Sequence, residues 1–231
     1  MPAWKNWLTV MCTEPVVITT NSYVPLEVPA VMWADLEAAY QTLPRAYHNI
    51  QHVHEVTAHY QNVAASIGWQ NPKEVYLAVL YHDAIYQAGR KDNEARSAEL
   101  ALLAIEKYLG DESIDVAKVK SLVELTARHG HLHSEILDQD AAHFLDCDMA
   151  ILGADAAQFL AYDKAIASEY RGKLPGWMFQ FYRRKFLKSL LDSPRIYLSN
   201  SFFESYEAKA RANIEGLLKK PRSMLLAASG R

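Results

Sequence analysis

Runs that open on a capping residue and close on glycine or proline follow one another along most of this chain, which confines it to helix after helix. Asn71-Pro72-Lys73-Glu74 is the clearest start: Asn71 can cap, Pro72 suits the first helical position, and Glu74 can reach back to the cap. The run it opens passes through Val75-Tyr76-Leu77-Ala78-Val79-Leu80-Tyr81 to about Tyr86, and Gly89 closes the segment. Further helices are expected over 28–43, bounded by Pro29 and Pro44, and over 48–67, stopped by Gly68. Others are expected over 94–109, closed by Gly110, over 113–128, closed by Gly130, and over 134–152, closed by Gly153. Asp155 with Gln158 reads as a capping box for a helix ending before Gly172, residues 175–191 form another up to Pro194, and Ser201 with Glu204 opens the last, to about Lys219. Residues beyond Pro221 read as a frayed tail. The only β-prone segment, Val16 to Thr20, is isolated, and one strand makes no sheet.

An all-α fold follows, read as a single domain over residues 1–231 with a core at about 28–170 and a C-terminal helical extension at about 175–219. Only nine Gly and nine Pro among 231 residues fit long regular elements. A formal net charge of -3, with no basic block, points away from a nucleic-acid partner. The two cysteines, Cys12 and Cys147, are too far apart to suggest a metal pair or a disulfide framework. The apolar run Leu8 to Met11 is too short for a signal peptide, and nothing approaches the ~18 apolar residues of a membrane span. A soluble cytoplasmic protein without a membrane partner is the expectation.

Three segments carry polar groups where burial makes them costly. Tyr81-His82-Asp83 ends a run of seven apolar residues, and a carboxylate beside an imidazole there needs partners. A divalent cation supplies them, taking neutral imidazole nitrogen and carboxylate oxygen. A capping Asp with a hydrogen-bonded core His would do equally. Tyr47-His48-Asn49-Ile50-Gln51-His52 sets His48 and His52 at i and i+4, on one face if both are helical. Phe144-Leu145-Asp146-Cys147-Asp148-Met149 embeds two aspartates about 200° apart on a helix, so only one of them can address a given metal.

Together these segments resemble the HD-domain superfamily of metal-dependent phosphohydrolases, helical bundles whose ligands run His, adjacent His-Asp, then a distant Asp. The resemblance spans about residues 33 to 215. It implies His52, His82, Asp83 and Asp148 as metal ligands, with Asp146 in reserve, because Cys147-Asp148-Met149 fits the family pattern better than Leu145-Asp146-Cys147. The 47–52 segment is similar to a motif of cyclic-nucleotide phosphodiesterases, which makes His48 a candidate general acid. Asn93-Glu94-Ala95-Arg96-Ser97-Ala98 is similar to a bacterial subgroup of predicted HD phosphohydrolases. Glu94 would orient or deprotonate a water, Arg96 would hold a phosphate oxygen, and Asp83 would add to catalysis. A solvated first helical turn accounts for Glu94 and Arg96 equally well.

The expected activity is hydrolysis of a phosphate ester of a small metabolite, with a nucleotide first in line. The cofactor is a divalent metal, with Mn2+, Mg2+, Co2+, Ni2+, Zn2+ and Fe2+ all compatible. His129, and after it His133, could hold a second metal, as in di-iron oxygenases on the same scaffold. A metal-stabilised nucleotide-binding module without catalysis is the other alternative. Arg171, Lys173, Arg183, Arg184 and Lys185 read as a solvated face before they read as a phosphate-attracting rim. Trp177, Phe179, Phe181 and Tyr182 read as core or as a self-association surface, so a homo-oligomer is compatible with the sequence.

Overall fold

The computed structural model describes residues 23–42, 45–110, 112–132 and 136–220. The β-prone segment, Cys12, His133, Ser134 and the tail beyond Pro221 lie outside these residues. Among the described residues the protein is all-α, with nine α-helices and no strand. They are α1 (Ala30–Tyr40), α2 (Ile50–Ser66), α3 (Pro72–Tyr81), α4 (Asn93–Tyr108), α5 (Val116–Leu125), α6 (Gln139–Met149), α7 (Ala156–Glu169), α8 (Gly176–Asp192) and α9 (Asn200–Lys219). Short 3-10 turns, Thr126–Arg128 and Ala150–Gly153, extend α5 and α6.

The apolar run in α3 reflects its place between two core clusters. Val75, Ala78 and Val79 join a cluster with Val56, Tyr60, Phe144 and Leu145. Leu77, Leu80 and Tyr81 join a second cluster with Met32, Leu36, Ile105 and Val119. A helix packed on both sides has no polar face to spare, which is why its sequence lacks amphipathic alternation. Helices α2, α4, α5 and α6 pack around α3, while α7 and α9 pack on the 3-10 turn that ends α6, and α8 packs on α9.

The helix starts depart from the sequence expectation at several points. Asn71 makes no cap bond of its own. Its N–H and Nδ2 donate instead to the Asp140 carboxylate, at 2.7 and 2.9 Å, and so tie the α2–α3 loop to α6. Asp155 precedes α7 without a side-chain cap bond. Helix α9 is capped by Ser199, which accepts from the Phe202 N–H, rather than by Ser201. Helix α6 is capped by Asp138, which accepts from Ala141 N–H at 2.8 Å. Helix α3 stops at Tyr81, short of the expected Tyr86, so His82 sits at its C-cap and Asp83 in the turn that follows.

Candidate metal centre

His82 is held at the end of α3 by its own helix. Its Nδ1–H donates to the Val79 carbonyl at 2.9 Å, which leaves a lone pair on Nε2. That nitrogen is 3.2 Å from His52 Nε2, on the buried face of α2. Asp83 Oδ2 lies 3.3 Å from His82 Nε2 and 3.8 Å from His52 Nε2. Asp148 Oδ1, from the last turn of α6, lies 3.0 Å from His52 Nε2 and 3.6 Å from His82 Nε2. Both histidines are buried, so water does little to separate these groups. His52, His82 and Asp83 form a group whose ligand atoms all lie within 4.8 Å of one another.

The donor set fits a divalent cation. Two imidazole nitrogens and two carboxylate oxygens converge on one point, and the His82 tautomer presents an acceptor there. Among the described residues the buried His52 Nδ1 has no hydrogen-bond partner, so the polar contacts of the ring are made through Nε2. Without a cation, protons must compensate. Burial opposes ionisation of Asp148, yet His82, His129 and His52 hold its carboxyl well below the usual carboxylate range. Burial likewise opposes ionisation of Asp83, and His82 and His48 outweigh it. Burial lowers the pKa of His82, but Asp83 and Asp148 push it up to about 9.

Asp146 has a different task. Its carboxylate accepts from the Leu198 and Ser199 N–H groups, each at 2.7 Å, and pins the start of α9. Burial pushes its pKa up to about 6 against those hydrogen bonds. The two aspartates point to opposite sides of α6, as their spacing requires.

His48 is not on the face of α2. Asn49 caps that helix, accepting from Gln51 N–H at 2.8 Å, and His48 lies in the turn before it. Glu169, at the end of α7, fixes the turn: Oε1 accepts from the N–H groups of Ala46, Tyr47 and His48, and Oε2 from His48 Nδ1 at 2.7 Å. The His48 ring stacks on Tyr86 at 3.9 Å and lies 6.2 Å from the His52 ring. Arg45 joins the two halves, donating to the carbonyls of His48, Asp83 and Ala84 at 2.7 to 2.9 Å. His129 is adjacent too, its Nε2 2.7 Å from Asp148 Oδ2.

Glu94 is half-buried, Arg96 is exposed, and neither bonds to the His-Asp group among the described residues. Asn93 and Ser97, one turn apart, are the buried polar residues of α4. Asn93 exchanges two hydrogen bonds with the Gln87 backbone, and Ser97 bonds both backbone groups of Ile85. These bonds close the loop that carries Asp83. Sequence reasoning missed Asn93, Ser97, Arg45 and Glu169. The first two sit inside the segment that resembled a family motif. Glu169 left no signal, since an acid at a helix end looks solvated.

A cleft of ≈ 590 Å³ opens beside His52 and Asp148. Its walls include Tyr47, Glu55 and His59 from the α2 side, Tyr162 from α7, and Tyr206 and Lys209 from α9. Lys209 is 3.7 Å from Asp155, which also lines the cleft. Searches against protein-family models, curated proteins and solved structures find no match to this chain.

Proposed function

We propose that the protein is a metal-dependent phosphohydrolase of the HD type, acting on a phosphomonoester of a small metabolite. The observation that carries this reading is the meeting of His52 Nε2, His82 Nε2, Asp83 Oδ2 and Asp148 Oδ1 within 3.0 to 3.8 Å at the edge of a cleft. These four residues would hold the metal. A bound divalent cation polarises a phosphoryl oxygen and acidifies water, to a pKa of ~7 in favourable cases.

The residues around the cluster supply the rest. With Nδ1 engaged by Glu169, His48 can carry its proton on Nε2. Burial disfavours the imidazolium, but Asp83 and Glu169 raise its pKa above the ordinary 6.5. A protonated His48 suits protonation of the leaving oxygen as water displaces it at phosphorus. Arg45 and Glu169 act as positioning residues, since they grip backbone and ring rather than the cleft. The cleft favours a single phosphate. Lys209, its one cation among the described lining residues, already faces Asp155, and Glu55 adds negative charge. A nucleoside monophosphate suits it better than a triphosphate.

The test is phosphate release from a panel of mono-, di- and triphosphates with Mn2+, Mg2+, Co2+ and Ni2+. Monoester turnover that falls at least ~100-fold in Asp83→Asn is expected, as for loss of a metal ligand or its close support. Release undiminished in that variant, or none with any metal, would sink the assignment. One observation favours a second reading. His129 beside the other oxygen of Asp148 could share a second cation, as an oxygenase would need. Turnover that consumes O2 and is lost in His129→Ala would decide for it.

A further inference from the structure

Helix α8 presents an outer face that combines exposed aromatic rings with lysines. Trp177, Phe181 and Tyr182 are 65, 50 and 56% exposed. Lys173, Lys185 and Lys188 are exposed around them and make no ion pair among the described residues. At ~100° per residue, Trp177, Phe181, Lys185 and Lys188 fall within a ~80° sector, and Tyr182 flanks it. Phe179, Leu187 and Leu190 point the other way, into the core. The outer stripe is ~16 Å long. No acid occurs from Tyr170 to Leu191, and Asp192, exposed at the end of α8, is the one carboxylate on the sector. Arg183 and Arg184 belong to the fold, bound to Asp163 and to the Leu218 carbonyl, so the outer charge is the lysines'.

We infer that this face docks peripherally on an anionic lipid surface, with the α8 axis in the plane of the headgroups. Indole and phenol rings favour the headgroup zone, being apolar in body and polar at the tip. Lysines beside them meet anionic headgroups, while their stems lie along apolar surface. Charge complementarity favours an anionic surface over a second copy: Lys173, Lys185 and Lys188 outnumber Asp192, the carboxylate that α8 exposes on the same sector, so face-to-face pairing leaves lysine charge unmatched. The docking is superficial, since no helix among the described residues is long and apolar enough to cross a membrane. It is also independent of the metal cluster, to which α8 contributes no residue.

The test is co-sedimentation of the full chain with vesicles of phosphatidylcholine alone or mixed with phosphatidylglycerol. Binding to the mixed vesicles only is expected. Lys185→Gln and Lys188→Gln should each weaken it about fivefold, the factor for ~1 kcal/mol per lysine at such a surface. The Trp177→Ala, Phe181→Ala double variant should abolish it without altering the thermal midpoint, because both side chains face solvent. No binding to mixed vesicles overturns the inference. So does equal binding to neutral vesicles, or a dimer of the parent chain that Trp177→Ala dissolves.

Discussion

Buried carboxylates in this protein act mainly as clamps on backbone. Asp140 holds Gln70 and Asn71, Asp146 holds Leu198 and Ser199, Glu207 holds Ile196 and Tyr197, and Glu169 holds Ala46 to His48. Each satisfies two or three N–H groups that a loop would otherwise bury unpaired. Glu169 alone of the four adds a histidine partner. Burial raises its pKa, but the His48 hydrogen bond outweighs that and holds the carboxyl below the ordinary 4.5. Burial lowers the pKa of His48, and Asp83 with Glu169 reverses that, to above 6.5. The Glu169 contribution to stability is therefore complete above pH 4.5 and lost as pH falls through its depressed folded value. The His48 contribution is complete below pH 6.5 and lost as pH rises through its raised folded value. In metal-free protein, the urea-midpoint gap between parent and Glu169→Gln is expected to peak between these limits and shrink on either side. A gap that does not change with pH would contradict the pairing.

At the scale of elements, the site depends on where helices stop. Helix α3 ends at Tyr81 so that His82 can bond back to Val79 and Asp83 can turn toward α6. Helix α5 runs into a 3-10 turn and then Gly130 at φ +76°, which leaves His129 beside Asp148. Helix α6 likewise runs into the 3-10 turn that ends at Gly153, against α9. A Cβ on Gly153 would come within 2.8 Å of Tyr206 Cβ and 2.9 Å of its carbonyl oxygen, neither of which can swing away. Gly153→Ala is expected to push α9 outward and cost about 1–3 kcal/mol in urea unfolding, the usual range for overpacking. A midpoint equal to the parent's would show that α9 is free to shift. The Asp146 clamp on Leu198 and Ser199 secures the same helix at its start.

For the whole molecule, the cluster is a place where three chain segments meet, in α2, after α3 and in α6, and a cation there ties them together. Metal at about 100 times its Kd should raise the thermal midpoint by roughly 5–10 °C in a domain of this size. Asp148→Asn should abolish that rise. Asp146→Asn should lower the starting midpoint, by about 2 kcal/mol of lost hydrogen bonding, and keep the rise. The reverse pattern in differential scanning calorimetry would move the ligand from Asp148 to Asp146.

The all-α character was determined by the sequence, because caps, glycines and apolar runs are local signals. So was the singularity of His82-Asp83, since an ionisable pair ending an apolar run needs a partner wherever the helix lies. The spacing of Asp146 and Asp148 required that they part ways, yet only the packing of α9 against α6 decided which one faces the histidines. His48 was legible as a residue and misplaced as a helical one, because the Asn49 cap is reinforced by Glu169, 120 residues away in the chain. Arg45, Asn93 and Ser97 became visible only in the fold. Their bonds go to backbone carbonyls and amides, which every sequence has and no sequence marks.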